Sequence, residues 1–401
     1  MDQITNPTKN NQSQIEAPEL KIKIVGLGGG GCNAINRMVE FGLTGVEFIA
    51  CNTDKQALTH SLADTNLQLG PKSTRGLGAG GIPSIGEKAA EESFQALADA
   101  LDGADMVFLT AGLGGGTGTG AIPVAARVAK TIGAITIAVV TTPFSFEMGR
   151  RQKNAVIGLR KLRQFTDTLI TVSNDRLLEV APENISLEMA FKLADDVLRQ
   201  GVSGISELLT ETGLINVDFA HIRRVMSLGG GALMSVGTGE GENKAQTALE
   251  KALNHPLLDT VNLNTAAGII VNFTGGDDLT FSEVAETLNY LHRESGDQAE
   301  IIPGVINDTN LNNRTQVILI VTGLGALPIE QVIPGAEKYL AEFTEQEEKK
   351  ISKAAPTAPV ENRQKESRSA NPSAYSFSES RPSVNSMDLD VPAFLRKRAR
   401  S

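Results

Sequence analysis

The chain has 401 residues, 41% of them hydrophobic, with a formal net charge of −10, two cysteines and no tryptophan. The apolar share can fill a sizeable core, and the length suits two ordinary domains. Net negative charge argues against a general binder of nucleic acid, and Cys32 and Cys51 alone cannot staple a secreted disulfide scaffold.

Residues 1–20 are polar and read as a disordered tail without a signal peptide. Residues 21–25 (KIKIV) form a short apolar strand that runs into GLGGGG and then a helical pattern through Ala34, Ile35, Met38 and Val39. Further strands are predicted at 46–50, 106–109, 135–140 and 169–172, the second of these followed by another glycine-rich loop and a helix. Strands alternating with helices imply a doubly wound parallel sheet. Residues 187–210 make one long helical pattern. Beyond a loop at 213–218 comes a smaller α/β set: strands at 232–236, 269–273 and 317–321, with helices near Lys244–Leu253 and 281–291. Residues 341–387 then carry seven acids, seven bases, four prolines and no glycine, the composition of a linker. The end differs again, with Leu389, Val391, Phe394 and Leu395 followed by Arg396, Lys397, Arg398 and Arg400. Such a segment suits a partner groove or an anionic membrane surface, or is a solvated tail. No run reaches the ~18 apolar residues of a membrane span, so a cytoplasmic protein is expected.

Of 40 glycines, 20 lie between Gly26 and Gly120. Gly26, Gly28 and Gly31 satisfy G-x-G-x-x-G between a strand and a helix, where backbone N–H groups and a helix N-terminus can hold a pyrophosphate. With Glu47 or Asp54 as the ribose acid, this loop alone fits a nicotinamide-dependent oxidoreductase, or else a plain structural turn. The four histidines, His60, His221, His255 and His292, show no hydride-transfer constellation. AGLGGGTGTG at 111–120 shifts the balance, because a dinucleotide fold needs only one such loop. Two of them would surround a triphosphate with N–H donors, and Thr117 and Thr119 would add hydroxyls. G-K-[ST] is absent, which leaves charge neutralisation to backbone dipoles, Mg2+ and an arginine.

GGGTGTG at 114–120 is a tubulin-family signature. The ordered series GLGGGGCNA, GLGGGTGTG, TTPFSFE, SNDRLL and INVDFA resembles the FtsZ branch of that family over about residues 21–330, as does the ending LDVPAFLRKRAR. The resemblance implies a GTP/GDP site in which Gly29, Gly30, Gly31, Cys32 and Asn33 hold phosphates in the first loop, and Gly116, Thr117 and Gly118 in the second. It gives Glu147 and Arg151, four residues apart, to ribose and phosphate. A carboxylate suits sugar hydroxyls and a guanidinium suits phosphate oxygens, although the same pair read alone is a surface ion pair. Asp195 would accept from the guanine N1–H and N2 amine, with Phe191 against the base and Asn174 in the same pocket. Their plain alternatives are a solvated helix face and a core aromatic. Cys32, near a helix N-terminus, is either a low-pKa thiol or a small residue filling a tight turn.

Hydrolysis in this family needs two subunits, one presenting a loop to the water that attacks the other's γ-phosphate. Here that loop is 216–221, with Asn216 and Asp218 as catalytic residues and His221 where the family commonly has a second acid. Read alone, Asp218 is the N-cap of the amphipathic segment behind it. The implied organisation is a tail at 1–20, a GTPase domain at 21–186, a central helix and loop start at 187–216, and a smaller α/β domain at 217–335. A linker at 336–387 and a partner-binding peptide at 388–401 follow. Mg2+ would arrive with the nucleotide, without a dedicated protein metal site. The expected partners are the chain itself, as a head-to-tail homopolymer, and membrane-tethering division proteins such as FtsA or ZipA through 388–401; no nucleic acid is expected. The implied role is the cytokinetic ring at mid-cell, the alternative being a scaffold that binds nucleotide with impaired hydrolysis.

Overall fold

The computed structural model describes residues 20–340, except 148, 183, 211–213, 216, 259–262, 297, 325–327, 330–332 and 334–335. Asn216, the tail 1–19, the linker beyond residue 340 and the 388–401 peptide lie outside the described residues.

The first half runs β1 (Ile22–Leu27), α1 (Gly28–Glu40), β2 (Glu47–Asn52), α2 (Lys55–Leu58), β3 (Thr65–Gln68), α3 (Pro83–Glu92), α4 (Phe94–Leu101) and β4 (Met106–Gly112). It continues with α5 (Thr117–Thr131), β5 (Ile135–Thr142), α6 (Arg150–Leu162), β6 (Thr168–Ser173) and α7 (Asn174–Glu179). The second half holds α8 (Leu187–Thr210), α9 (Phe219–Met226), β7 (Gly231–Glu240), α10 (Lys244–Leu253), β8 (Gly268–Gly275), α11 (Phe281–Ser295), β9 (Glu300–Asn307) and β10 (Arg314–Thr322).

Strand order is β3-β2-β1-β4-β5-β6-β7-β10-β8-β9. The six strands from β3 to β6 are all parallel. The central strands β1, β4, β5 and β6 are covered on both faces, so their sequences are largely apolar rather than alternating, whereas the edge strand β3 is polar. Ile22, Ile24, Met106 and Phe108 point to the side of α1 and α8, while Val25, Leu27, Val107 and Leu109 point to that of α4, α5 and α6. The doubly wound parallel sheet expected from sequence is present. The smaller set is mixed: β10 is antiparallel to β7 and β8, and β9 is parallel to β8. The two sets form one ten-stranded sheet, joined where β6 and β7 pair at Leu169–Gly231 and Ile170–Ala232.

Helix α8 lies across that junction. A Cβ at Gly201 would stand 3.0 Å from Met234 Sδ of β7 and 3.1 Å from Val139 Cγ1 of β5. Glycine mid-helix costs roughly 0.5–1 kcal/mol, and here the missing side chain lets the helix touch both halves. The linker start expected at 336 is corrected. Ile329, Ile333, Ala336 and Tyr339 are buried in the core cluster of the first half, with Leu340 packed on it. The polar, glycine-free composition that follows concealed this apolar spacing.

Candidate functional site

In β1-β2-β3 the chain steps one way along the sheet, and in β4-β5-β6 the other. The switch point is therefore between β1 and β4, which are adjacent and parallel with Gly26 level with Thr110. In open α/β sheets the crevice beyond such a point is where ligands bind. Both glycine loops leave the sheet there.

The loops touch each other. Gly28 has φ +71°, a left-handed value that favours glycine, and a Cβ on it would lie 2.7 Å from the Gly118 nitrogen. Gly118 in turn would meet Leu27 O at 3.1 Å and Gly112 O at 3.0 Å, and a Cβ on Gly31 would collide with Thr110 O. Gly29 and Gly115 are different, since a Cβ on either meets nothing within 4 Å. Helices α1 and α5 begin beside these open positions with no side-chain cap and no acid in the first turn. Their first N–H groups therefore have no partner within the helix, and both dipoles favour an anion.

A third glycine run, Gly76, Gly78, Gly80 and Gly81, completes the wall. A Cβ on Gly116 would lie 2.7 Å from Ile82 N and 3.1 Å from Gly81 C. Asn154 of α6, buried, donates from Nδ2 to Gly114 O at 2.9 Å and Gly81 O at 3.1 Å, tying the second and third runs together. Thr53, after β2, shares a 2.6 Å hydroxyl hydrogen bond with Thr117. Sequence reasoning missed Asn154, Thr53 and the third run. The signal for the run was GLGAGG at 76–81, with no apolar strand directly before it.

Other expected residues sort by environment. Arg151 pairs with Glu147, which also accepts from the Phe144 N–H at 2.9 Å. A Cβ on Gly114 would lie 3.2 Å from Arg151 Cβ, so the pair sits against the second loop. Asn33 is exposed on α1. Asn174 opens α7 at the end of β6, buried, and its Oδ1 has no hydrogen-bond partner. An orphaned buried acceptor is costly, and a ligand donor would satisfy it. Phe191 is 38% exposed and meets Phe144 edge-on at 5.4 Å, while Phe144 stacks on Phe146 at 5.0 Å. Asp195 lies 3.6 Å from Arg37 of α1. Burial pushes its carboxyl up to about 6, against the pull of Arg37.

Two side chains are turned away from the mouth. Thr119 is buried, and its hydroxyl accepts from the Gly114 N–H at 2.8 Å, so it braces the second loop from within. The Cys32 thiol is buried toward Gly26 O and Cys51 O, both at 3.8 Å. Burial pushes it up to about 12, which favours the second of the two readings of Cys32, a small residue in a tight turn, over a low-pKa thiol. Desolvation outweighs the helix N-terminus, and Cys32 fills a tight turn.

Asp218 and His221 lie elsewhere, on the exposed start of α9. Asp218 Oδ1 caps the helix by accepting from the Ala220 N–H at 3.1 Å. His221, one turn on, is solvent-exposed, while Ile222, Val225 and Met226 are buried behind it. Among the described residues no group of three or more His, Cys, Asp and Glu could hold a metal ion, and no helix is long and apolar enough to cross a membrane.

A sheet switch point ringed by glycine amides and two uncapped helix N-termini defines an α/β protein that binds nucleotide phosphates. Residues 21–182 match the Tubulin/FtsZ family, GTPase domain, and residues 230–325 the FtsZ family, C-terminal domain. An empty FtsZ dimer from M. jannaschii is 47% identical, covers 76% of this chain and 88% of its own, and superposes with a TM-score of 0.74. A point mutant of FtsZ from M. jannaschii gives 46%, 76%, 91% and 0.73. CetZ2 from Haloferax volcanii, a GTPγS-bound protofilament, is 20% identical over 81% of this chain and 100% of its own, TM-score 0.67, a likeness of fold alone. The chain belongs to the tubulin/FtsZ family, for which GTP/GDP binding and GTPase activity are shared traits.

Proposed function

We propose that this chain is a GTP-dependent, self-assembling filament protein that builds the cytokinetic ring of a dividing bacterium. The observation that carries the reading is the pairing of a glycine-walled anion mouth with an exposed acid, Asp218, at a helix start. Gly29, Gly30, Gly31, Cys32 and Asn33, through their backbone, and Gly116, Thr117 and Gly118 would hold the phosphates. Glu147 and Arg151 would flank the ribose and phosphates, and Asn174, Phe191 and Asp195 would take the guanine. Magnesium, where present, would be held through phosphate oxygens and would add charge neutralisation.

Asn216, Asp218 and His221 would meet the γ-phosphate of a neighbouring copy. A loop on one face and a nucleotide on another make a heterologous contact, which propagates as an open filament. The 21–186, 187–216 and 217–335 division, with a peptide at 388–401 for a membrane tether such as FtsA or ZipA, belongs to the same proposal, as does a cytoplasmic, mid-cell location. Light scattering with GTP, GDP or no nucleotide, paired with phosphate release, tests it. Growth of scattering with GTP alone is expected, and scattering indifferent to nucleotide would sink the reading. A second reading, a scaffold with impaired hydrolysis, is favoured by His221. It predicts GTP-dependent scattering without phosphate release.

A further inference from the structure

The segment that leads into the candidate catalytic loop is fastened to the outer edge of the sheet. Leu214 N–H donates to Val305 O at 2.9 Å, and Ile215 and Val305 form an isolated antiparallel bridge. Val305 belongs to β9, the last strand in the sheet order, whose ladder with β8 leaves its other edge free to take this bridge. The Leu214 side chain is 73% exposed, so its own packing does not hold the segment. Ile215 packs partly on the core beneath β8 and β10. On the far side, α9 is seated by Ile222, Val225 and Met226 in the core between α8 and the sheet. Beside Val305, Gly304 accepts the last turns of α8, because any Cβ there would collide with Leu208 Cδ2.

Leu214 precedes Asp218 by four positions. Four residues reach at most about 13 Å when fully extended, so a pinned Leu214 confines where the carboxylate can stand. A reacting group misplaced by 1 Å can lose about a hundredfold in rate.

We propose that the Val305 backbone carbonyl is a positioning group for GTP hydrolysis, pinning the Leu214 amide so that the loop after it presents Asp218 at a fixed place. This rests on the reading of 216–221 as the catalytic loop. The hydrogen bond is a main-chain one, so no side-chain deletion removes it cleanly. Proline at 214 removes the donor, while alanine keeps it.

In the full chain, Leu214→Pro should release phosphate at least about tenfold more slowly per sedimented polymer than Leu214→Ala. The nucleotide dissociation constants of the two should agree within about twofold, since α1, α5 and their loops are untouched. Equal turnover per polymer in the two variants would overturn the proposal. Amide exchange in the unaltered protein gives a reading that no folding defect can confuse: the Leu214 N–H must be protected, and exchange at its free-chain rate overturns the anchor. Asp218→Asn separates the two layers. Retained turnover there defeats the catalytic-loop reading and the positioning role with it. Lost turnover, with Leu214→Pro and Leu214→Ala equal, defeats the anchor alone.

Discussion

Around the β1–β4 switch point the surface is set by backbone against backbone. Gly28 abuts Gly118, Gly116 abuts Ile82, and Asn154 clasps the second and third glycine runs from behind. At the start of α9, Asp218 makes one capping hydrogen bond and His221 stands in solvent. The first region is finished within one chain, down to the width of a methyl group. The second is an exposed side chain that no tertiary packing encloses. On the proposed reading the contrast separates binding from chemistry, so each should be removable without the other.

The hardest blow to that separation is Asp218→Ala. Phosphate release per polymer should fall by about a hundredfold or more, with nucleotide affinity changed by less than about twofold. The lost cap costs about 1 kcal/mol of local stability. Turnover that survives would strip the α9 start of its role. Gly29→Ala works from the other side: no atom lies within 4 Å of its Cβ, so the melting temperature should stay put. Nucleotide affinity should drop by about tenfold or more, because the methyl enters space left for phosphate. Gly31→Ala must collide with Thr110 O and should destabilise the fold instead, so a calorimetric scan of the two variants tells ligand space from packing space.

A third test is pH. The Asp195 carboxyl is held up at about 6 by burial. An acid raised in this way is charged above that pH and protonated below it, and only the charged form accepts from both guanine donors. Affinity for a fluorescent GDP should therefore fall about fivefold from pH 6 to pH 5 beyond any change at other sites, and Asp195→Asn should flatten the curve. A slope that survives in Asp195→Asn assigns the titration to another group. The smallest effect expected is at His221. His221→Asp should raise turnover at matched polymer mass by a few-fold, about 1 kcal/mol in barrier. Equal rates would show that the extra negative charge is idle.

Much of this was legible in the chain. Apolar runs ending in glycine located β1, β4 and both loops, because a strand buried on two faces and a turn that must hug another backbone leave little freedom in composition. What the chain did not show is that the Thr119 hydroxyl is buried and accepts from the Gly114 N–H, bracing its own loop. Which of the two readings of Cys32 holds was not legible, because burial is not written locally. β9 stayed hidden because Pro303 interrupts it, which an edge strand tolerates. The third glycine run escaped because the strand before it, β3, is the polar Thr-Asn-Leu-Gln. Its contact with Gly116 exists only in three dimensions.

β6 and β7 meet at two register pairs, whereas β7 and β10 share eight. In mechanical terms the sheet is stiff on either side of a compliant seam, and α8 is the splint laid over it, touching β5 and β7 at Gly201 and β10 at Gly204. A load passed between the two ends of the molecule would strain that seam first. The helix carrying Asp195 near its first turns and leading toward Asp218 at its end would feel the strain along its whole length.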